Sequence, residues 1–204
     1  LKTWDCSPPM LLGTYEQELH DVFHNWLDRK PRYLVCIGAA QGYYAVGMAR
    51  RDPNLKVIAY ELDSYQRSQL AGVIRQNKVS NVTVLKNCTQ ESLVETLQRF
   101  SSPPFIVCDI EGGEVELLDP IQITALKQAV ILVEIHEELV NGCEQAIRSR
   151  FKDSHNILEI ISLERISEDL SNHPSSFLSF LSEKTKLGLI DEGRASTMKW
   201  LVLE

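Results

Sequence analysis

The sequence lacks the features that mark membrane, disulfide-rich and nucleic-acid-binding proteins. No apolar run is long enough to span a bilayer, and no internal repeat or low-complexity segment is present. The 5 cysteines are scattered and show no Cys-x-x-Cys spacing, so we expect reduced thiols and a cytoplasmic location. The formal net charge of -7 argues against a large phosphate-binding surface, and we do not expect nucleic acid as a partner.

The 204 residues are enough for one domain with a sizeable core. We expect residues 1–30 to form an N-terminal helical segment that packs on the core, and residues 31–204 to form the main domain. Cys36 and Cys108 fall within apolar runs, which predicts that they are small core residues. Because the chain begins at Leu1, we expect it to be a fragment or a processed form.

The clearest local pattern is a strand, a turn of small residues and a helix. The apolar run at 34–37 predicts a buried parallel strand, and apolar residues from Tyr44 onward recur at helical spacing. The turn at 38–42 is expected to aim free backbone N–H groups and the positive end of the helix at a ligand. Gly38 and Gly42 have no Cβ, so we expect the ligand to approach the backbone closely there.

Strands and helices alternate through five repeats along the chain. This order predicts an α/β fold: a Rossmann-like doubly wound sheet of about seven strands, mostly parallel, with an antiparallel last strand. In such a sheet the ligand lies beyond the carboxyl ends of the strands, where the strand order reverses. Five predicted strands end in polar or small residues, at 38–42, Glu61, 87–88, 109–111 and 134–136. We therefore expect these five ends to line one site.

The helical pattern outside these repeats is less regular. Apolar side chains from Leu12 to Leu27 recur on one face, which predicts an amphipathic helix. Residues 139–151 are also predicted to form a helix. The polar stretch 164–181 is predicted to be helical with a break at 172–174 (Asn-His-Pro), and residues 188–194 are predicted to form a loop before the last strand.

The acidic residue Glu61 ends the second predicted strand, about twenty residues after the glycine turn. A carboxylate at that place can accept hydrogen bonds from both ribose hydroxyls of a nucleoside, each worth roughly 1.5–3 kcal/mol. The dinucleotide fingerprint Gly-x-Gly-x-x-Gly is not met, because Ala40 stands at its middle glycine. The pattern therefore favours a nucleoside ligand without a pyrophosphate over NAD.

Four motifs, in this order, resemble those of one protein family. They are Ile-Gly-Ala-Ala-Gln-Gly-Tyr-Tyr at 37–44, Tyr-Glu at 60–61, Asp-Ile-Glu-Gly-Gly-Glu at 109–114 and Val-Glu-Ile-His at 133–136. The set resembles the FkbM-type branch of the class I S-adenosylmethionine-dependent methyltransferases, in which Asp-x-Glu-Gly-x-Glu follows the fourth strand. The resemblance covers about residues 33–136 and implies that residues 31–204 form a methyltransferase domain.

The resemblance implies S-adenosylmethionine as the cofactor. The glycine turn would hold its methionine part, Glu61 its ribose, and the residues after the third strand its adenine. Asp109 would lie near the sulfonium, where a carboxylate offsets positive charge. At the adenine position many relatives carry an aspartate, whereas this chain carries Asn87-Cys88. The implied cofactor-binding residues are Gly38, Ala39, Ala40, Gly42, Tyr44, Glu61, Leu62, Asn87, Cys88 and Asp109.

Methyl transfer to a hydroxyl needs a base or a metal, because a neutral hydroxyl is a poor nucleophile. The catalytic candidates at the strand ends are His136, Glu111 and Asp109. By its ordinary pKa His136 is the natural base, although it could instead cap the following helix or bond Glu111. Asp109, Glu134 and His136 are weaker candidates for metal ligands, with Mg²⁺ as an open alternative. Glu114 is expected to meet a helix dipole.

The chain has no Asn/Asp-Pro-Pro-Tyr/Phe element after the fourth strand, which argues against methylation of an adenine or amide nitrogen. The expected activity is O-methylation of a hydroxylated small molecule or sugar, with residues 162–197 shaping the acceptor pocket. An inactive cofactor-binding module of the same fold and an NAD-dependent oxidoreductase are the alternatives. A homodimer is left open.

Overall fold

The structure is a computed structural model that describes residues 7–171, 173, 175–194 and 197–204. One sheet contains the strands β1 (Tyr33–Ile37), β2 (Lys56–Tyr60), β3 (Val82–Leu85), β4 (Phe105–Cys108), β5 (Val130–Glu134), β6 (Ile157–Ile161) and β7 (Lys199–Leu203). Their order across the sheet is β3-β2-β1-β4-β5-β7-β6.

The first five strands run parallel, and β7 lies antiparallel to its neighbours β5 and β6. The predicted α/β class, strand number and antiparallel last strand are therefore confirmed. From β1 the chain moves outward through β2 and β3, and then in the other direction through β4 and β5. The strand order thus reverses between β1 and β4, which is where open α/β sheets bind their ligands.

In the described part of the chain, eight α-helices precede or connect the strands. They are α1 (Pro8–Leu12), α2 (His20–Asp28), α3 (Tyr43–Arg51), α4 (Ser64–Asn77), α5 (Gln90–Gln98), α6 (Glu114–Leu117), α7 (Cys143–Phe151) and α8 (Glu183–Ile190). Side-chain caps fix two of their starts next to strand ends. Asp63 accepts from the N–H of Gln66 at the start of α4, and Thr89 forms a capping box with Ser92 at the start of α5.

The centre of the sheet forms the main hydrophobic core. Every residue of β1 and of β4 is buried, as expected for parallel strands that are covered on both faces. Their apolar side chains contribute about 25 cal/mol for each Å² removed from water. The loops that follow these strands therefore start from a rigid base.

The chain divides into two compact units. The larger comprises His24–Ile160 and Lys199–Glu204, and it contains the sheet apart from Ile161. The smaller comprises Leu1–Phe23 and Ile161–Met198. The proposed packing of an N-terminal segment 1–30 on the core stays a prediction.

A buried ionic cluster lies within the smaller unit. Arg165 pairs with Glu18 and also with Glu192, whose Oε1 lies 3.0 Å from Nε of the arginine. Arg194 lies 2.5 Å from Glu192 and 3.2 Å from Glu18, and its Nη2 is 3.5 Å from Glu16. Removing either arginine would leave one cation for the carboxylates of the cluster, and breaking a buried ion pair from one side is strongly destabilising.

The helix predicted over residues 12–27 is broken in the structure. α1 ends at Leu12, because Gly13 takes a left-handed φ of 71°, and α2 begins only at His20. The helix predicted to begin at residue 139 starts at Cys143, after Gly142 with a φ of 80°. In both places a glycine in the left-handed region sets the boundary.

The helical prediction for residues 164–181 holds only as two short 3-10 segments, one on each side of the predicted break at 172–174. Only the short 3-10 segments Ser167–Leu170 and Ser176–Phe180 form in the described part of that stretch, and residues 172 and 174 lie outside it. A helix forms later instead, because Ser182 accepts from the N–H of Thr185 and starts α8. The predicted loop at 188–194 therefore begins as the end of a helix.

The expectations for cysteines and membrane spans have separate outcomes. Cys36 and Cys108 are buried core residues, as predicted. The free cysteines are Cys36, Cys88, Cys108 and Cys143, whereas Cys6 lies outside the described residues. Across the residues that the structure describes, no helix has both the length and the apolar character needed to cross a membrane.

Candidate active site

An open cleft of about 1090 Å³ lies at the carboxyl ends of β1, β2, β3 and β4, above the reversal in strand order. Most of the residues predicted to bind the cofactor line this cleft: Gly38, Ala40, Glu61, Leu62, Asn87, Cys88 and Asp109. Ala39, Gly42 and Tyr44 lie outside its wall, although they belong to the same turn and the helix that follows it.

The turn after β1 contains three residues with positive φ: Gly38 at 79°, Ala40 at 44° and Gly42 at 92°. Ala40 is the unusual member, because the left-handed region costs a residue with a Cβ about 1 kcal/mol. Its N–H donates to Oε2 of Glu61 at 2.7 Å. This hydrogen bond stabilises the strained conformation of the turn.

The expectation that this turn presents free backbone donors to a ligand fails for four of its five N–H groups, those of residues 38–40 and 42, which are bonded within the protein. The N–H groups of Gly38 and Ala39 donate to the carbonyl of Tyr60 at 3.0 and 2.9 Å, and that of Gly42 donates to Ala39 at 2.8 Å. A pyrophosphate would have to replace these internal bonds to use the donors. The turn is therefore poorly suited to a dinucleotide, which counts against the NAD alternative.

Packing within the protein requires glycine at positions 38 and 42. A Cβ on Gly38 would lie 1.7 Å from the carbonyl oxygen of Asp109, and a Cβ on Gly42 would lie 2.3 Å from Cδ1 of Leu70. The turn after β1 consequently lies directly against the turn after β4. This packing is a reason for both glycines that the sequence did not reveal, and close approach of a ligand to them stays a prediction.

Glu61 connects two loops through its side chain. Its Oε2 accepts from the N–H of Ala40, and its Oε1 accepts from the N–H of Asp63 at 2.8 Å. The residue is 9% exposed and lines the cleft. Each carboxylate oxygen has two lone pairs, so both can accept a further hydrogen bond from a ligand.

On the β4 side of the cleft, carboxyl groups surround one buried histidine. Nδ1 of His136 lies 2.9 Å from Oε1 of Glu114. Its Nε2 lies 3.6 Å from Asp109 and 3.4 Å from Glu111. Asp109 also forms a hydrogen bond with Glu134. The ends of β4 and β5 therefore bring together the three predicted catalytic residues and all three predicted metal ligands, two of which are the same residues.

Glu114 is the site residue that the sequence analysis missed. Its side chain is 0% exposed, and its Oε1 accepts from His136 and from the N–H groups of Ile110 and Gly112. It does begin helix α6, as expected, but it also holds the preceding loop against the histidine. The sequence signal for this turn was the Gly112-Gly113 pair, since glycine is favoured where the chain must reverse. In the structure Gly112 has a φ of 101° and turns the chain back.

These neighbours determine the charge of His136. Burial lowers the pKa of an imidazole, but the hydrogen bond and charge of Glu114, with the charges of Glu134 and Asp109, raise the pKa of His136 to about 9. The ring is therefore an imidazolium at neutral pH and has no lone pair to accept a proton. The raised pKa counts against His136 as the general base, and its catalytic role stays a prediction.

Asp109 and Glu114 respond to the same surroundings in opposite directions. Burial raises the pKa of Asp109 to about 6, while the charge of His136 opposes that shift. Burial also acts to raise the pKa of Glu114, but its hydrogen bonds to His136 and to backbone N–H groups outweigh burial and lower it. Of these two carboxyl groups, Asp109 is the one that can exchange a proton near neutral pH.

The same cluster brings potential metal-ligating atoms of Asp109, Glu114 and His136 within 4.8 Å of one another. This set contains Glu114 where the sequence predicted Glu134. Mg²⁺ takes oxygen ligands, whereas the central group here is a charged imidazole whose Nδ1 is bonded to Glu114. The donor set therefore does not suit Mg²⁺.

The wall of the cleft is acidic. It contains one basic side chain, Lys86, and the carboxyl groups of Glu61, Asp63, Glu91, Asp109, Glu111 and Glu116. Such a wall attracts a ligand with positive charge and repels one with several phosphates. Leu62 is 72% exposed at the same cleft, which leaves an apolar surface for a flat ring.

No protein-family model matches the chain, and no curated protein matches its sequence. Solved structures do share its fold. A candidate caffeoyl-CoA O-methyltransferase from Staphylococcus aureus has a TM-score of 0.60 at 8% identity, covering 93% of this chain and 84% of that one. The O-methyltransferase TomG from Streptomyces achromogenes, involved in tomaymycin synthesis and solved with S-adenosylmethionine, has a TM-score of 0.55 at 14% identity, covering 100% and 92%.

A third similar structure acts on a different kind of atom. The precorrin-6y C5,15-methyltransferase from Geobacter metallireducens GS-15 has a TM-score of 0.56 at 13% identity, covering 90% of this chain and 87% of that one. At these identities the likeness shows the fold alone, a Rossmann-like methyltransferase fold. The neighbours are class I S-adenosylmethionine-dependent methyltransferases, and membership of the FkbM-type branch stays a prediction.

Proposed function

We propose that this chain is an S-adenosylmethionine-dependent methyltransferase that methylates a hydroxyl group of a small molecule or sugar. The observation that carries the proposal is an acidic cleft at the strand reversal of a methyltransferase fold. S-adenosylmethionine has a sulfonium and an ammonium group, which carboxylates attract. NAD has a pyrophosphate, and the turn after β1 uses its N–H groups of residues 38–40 and 42 internally.

The residues of the cleft fit this cofactor. Glu61 would accept the ribose hydroxyls with its remaining lone pairs, and Leu62 would contact the adenine ring together with Asn87 and Cys88. Asp109 would lie towards the sulfonium. When bound, the cofactor supplies a methyl group attached to a sulfonium sulfur. After transfer of the methyl group the sulfur is a neutral thioether. The motif at 109–114 favours the FkbM-type branch within this class.

Asp109 would accept the proton from the acceptor hydroxyl. Its pKa of about 6 leaves the carboxylate ionised at neutral pH but still able to take a proton. His136 would act as a positioning residue, because its charged ring lies between Glu114 and the carboxylates of Asp109 and Glu111. Glu111 is 78% exposed and is a second candidate for contact with the acceptor.

The direct test is ligand binding followed by turnover. Isothermal titration with S-adenosylhomocysteine should show binding, and NAD should show none at the same concentration. Binding of NAD without binding of S-adenosylhomocysteine would overturn the proposal. Transfer of a labelled methyl group would then be measured across hydroxylated acceptors. Cofactor binding without transfer to any acceptor would instead support an inactive cofactor-binding module of the same fold.

A further inference from the structure

Arg67 lies in the second turn of α4 and contacts the loop that carries Glu61. Its Nη1 donates to the carbonyl of Glu61 at 2.8 Å and also to the carbonyl of Leu62. Its backbone N–H donates to the carbonyl of Asp63 at 3.0 Å. A guanidinium that binds two successive carbonyl groups restricts the peptide planes between them.

The loop is held from its other side as well. The carboxylate of Glu61 binds the N–H groups of Ala40 and Asp63. The side chain of Asp63 in turn accepts from the N–H of Gln66 at 2.8 Å. Each residue from 61 to 63 is therefore fixed, two of them through Arg67.

We propose that Arg67 is a positioning residue for the nucleoside part of the ligand, an inference that rests on the function proposed above. By fixing the carbonyl groups of residues 61 and 62, it orients the Glu61 carboxylate towards the ribose hydroxyls and the Leu62 side chain towards the adenine. Arg67 does not belong to the wall of the cleft and acts through these two neighbours. Because the guanidinium bonds main-chain oxygens, the contact does not depend on the side chains at 61 and 62, and the sequence there does not indicate it.

The proposal predicts a loss that depends on the ribose hydroxyls. When Arg67 is replaced, the Glu61 carboxylate keeps its hydrogen bonds to Ala40 and Asp63, but the backbone from which it extends is no longer held by the guanidinium. The ribose hydroxyls then contribute less to the free energy of binding, whereas ligand contacts that do not involve this loop contribute as before. A general loss of folding would weaken every ligand to the same extent.

The experiment compares S-adenosylhomocysteine with its 2′-deoxy analogue by isothermal titration. The unchanged protein should bind S-adenosylhomocysteine roughly tenfold more tightly than the analogue, as expected for one hydrogen bond to a charged group. In Arg67→Met, affinity for S-adenosylhomocysteine should fall roughly tenfold and that for the analogue by a smaller factor, because the analogue keeps the adenine and one of the two hydroxyls. Arg75→Met, an exposed arginine of the same helix, is the matched control and should leave both affinities unchanged.

Each result decides the role of Arg67. Equal weakening of both ligands, or no weakening of either, would overturn it. If Arg67→Met does not fold, Arg67→Lys is measured instead. A lysine ammonium can bond one of the two carbonyl groups, so the ratio of the affinities for S-adenosylhomocysteine and its analogue should lie between those of the unchanged protein and of a protein without the contact. If the unchanged protein binds neither ligand, the proposed function fails and this inference fails with it. Binding of S-adenosylhomocysteine with no effect of Arg67 overturns only the positioning role.

Discussion

The two sides of the cleft use carboxylates in different ways. On the β2 side, Glu61 is fixed by the backbone N–H groups of Ala40 and Asp63. On the β4 side, Asp109 and Glu114 are arranged around the charge of His136. Orientation by backbone donors does not depend on whether a neighbouring side chain is ionised, whereas the arrangement around an imidazolium does. The β2 side therefore suits recognition, and the β4 side suits proton transfer.

The largest difference between the two sides is expected from Asp109→Asn. An amide cannot take a proton from a hydroxyl, so the turnover number should fall by about 10²- to 10⁴-fold. Affinity for S-adenosylhomocysteine, measured by isothermal titration, should change far less. Glu91→Gln is the control, since it removes a charge from the same cleft without touching the histidine cluster. Equal losses of turnover in both variants would show that only the charge of the cleft matters.

Glu114→Gln should destabilise the protein by about 3 kcal/mol, because it leaves the buried imidazolium without its closest countercharge. Urea unfolding followed by circular dichroism measures this change. Glu116→Gln alters an exposed carboxylate of the same short helix and should stay within about 0.5 kcal/mol of the unchanged protein. Similar values for the two variants would contradict the assigned role of Glu114.

The stability of the β4 side should depend on pH. The folded pKa of His136, about 9, lies above its ordinary value of 6.5. Its stabilising contribution is therefore complete below about pH 6.5 and is lost as the pH rises through about 9. The free energy of unfolding should fall by up to about 1.4 kcal/mol per pH unit over that window. Asp109, with a folded pKa of about 6 against 3.8, adds a loss in the same direction at lower pH.

Imidazole ¹⁵N chemical shifts followed by NMR separate the two groups, because they report the titration of the histidine alone. A midpoint near pH 9 supports the assignment of His136 as an imidazolium. A midpoint near 6.5 would return the residue to the list of possible bases.

The smallest expected effect is on the β2 side. Ala40 has a φ of 44°, and Ala40→Gly removes the strain of a Cβ in the left-handed region. The gain should be at most about 1 kcal/mol, because glycine also increases the entropy of the unfolded chain. Ala71→Gly, inside helix α4, is the control and should destabilise by about 1 kcal/mol. A destabilised Ala40→Gly variant would show that the turn is not strained.

The sequence was sufficient to predict the strand ends that form the site. Apolar runs end at Gly38, Glu61 and Asp109, and the carboxyl ends of parallel strands share one edge of a sheet. This rule needs no knowledge of side-chain contacts. It also explains why most of the predicted cofactor residues line the cleft.

The roles of individual residues depended on contacts distant in sequence and could not be predicted. Gly38 is required by a carbonyl of residue 109. Burial acts to lower the pKa of His136, and Glu114 is the main group that raises it instead. A histidine motif alone predicts an ordinary imidazole, because its local neighbours do not reveal a buried countercharge. The late helix α8 was missed for another reason, since its start depends on the cap by Ser182 and not on apolar periodicity.

The contact between Gly38 and the carbonyl of Asp109 has a consequence for mutagenesis. A methyl group at position 38 would need the volume that this carbonyl occupies. An alanine scan would therefore mark position 38 as essential for turnover, even though a hydrogen atom has no chemistry to offer a substrate. Because the obstacle is a main-chain oxygen that any residue at 109 would carry, no substitution there makes room for a side chain at 38, and directed evolution should leave glycine at position 38.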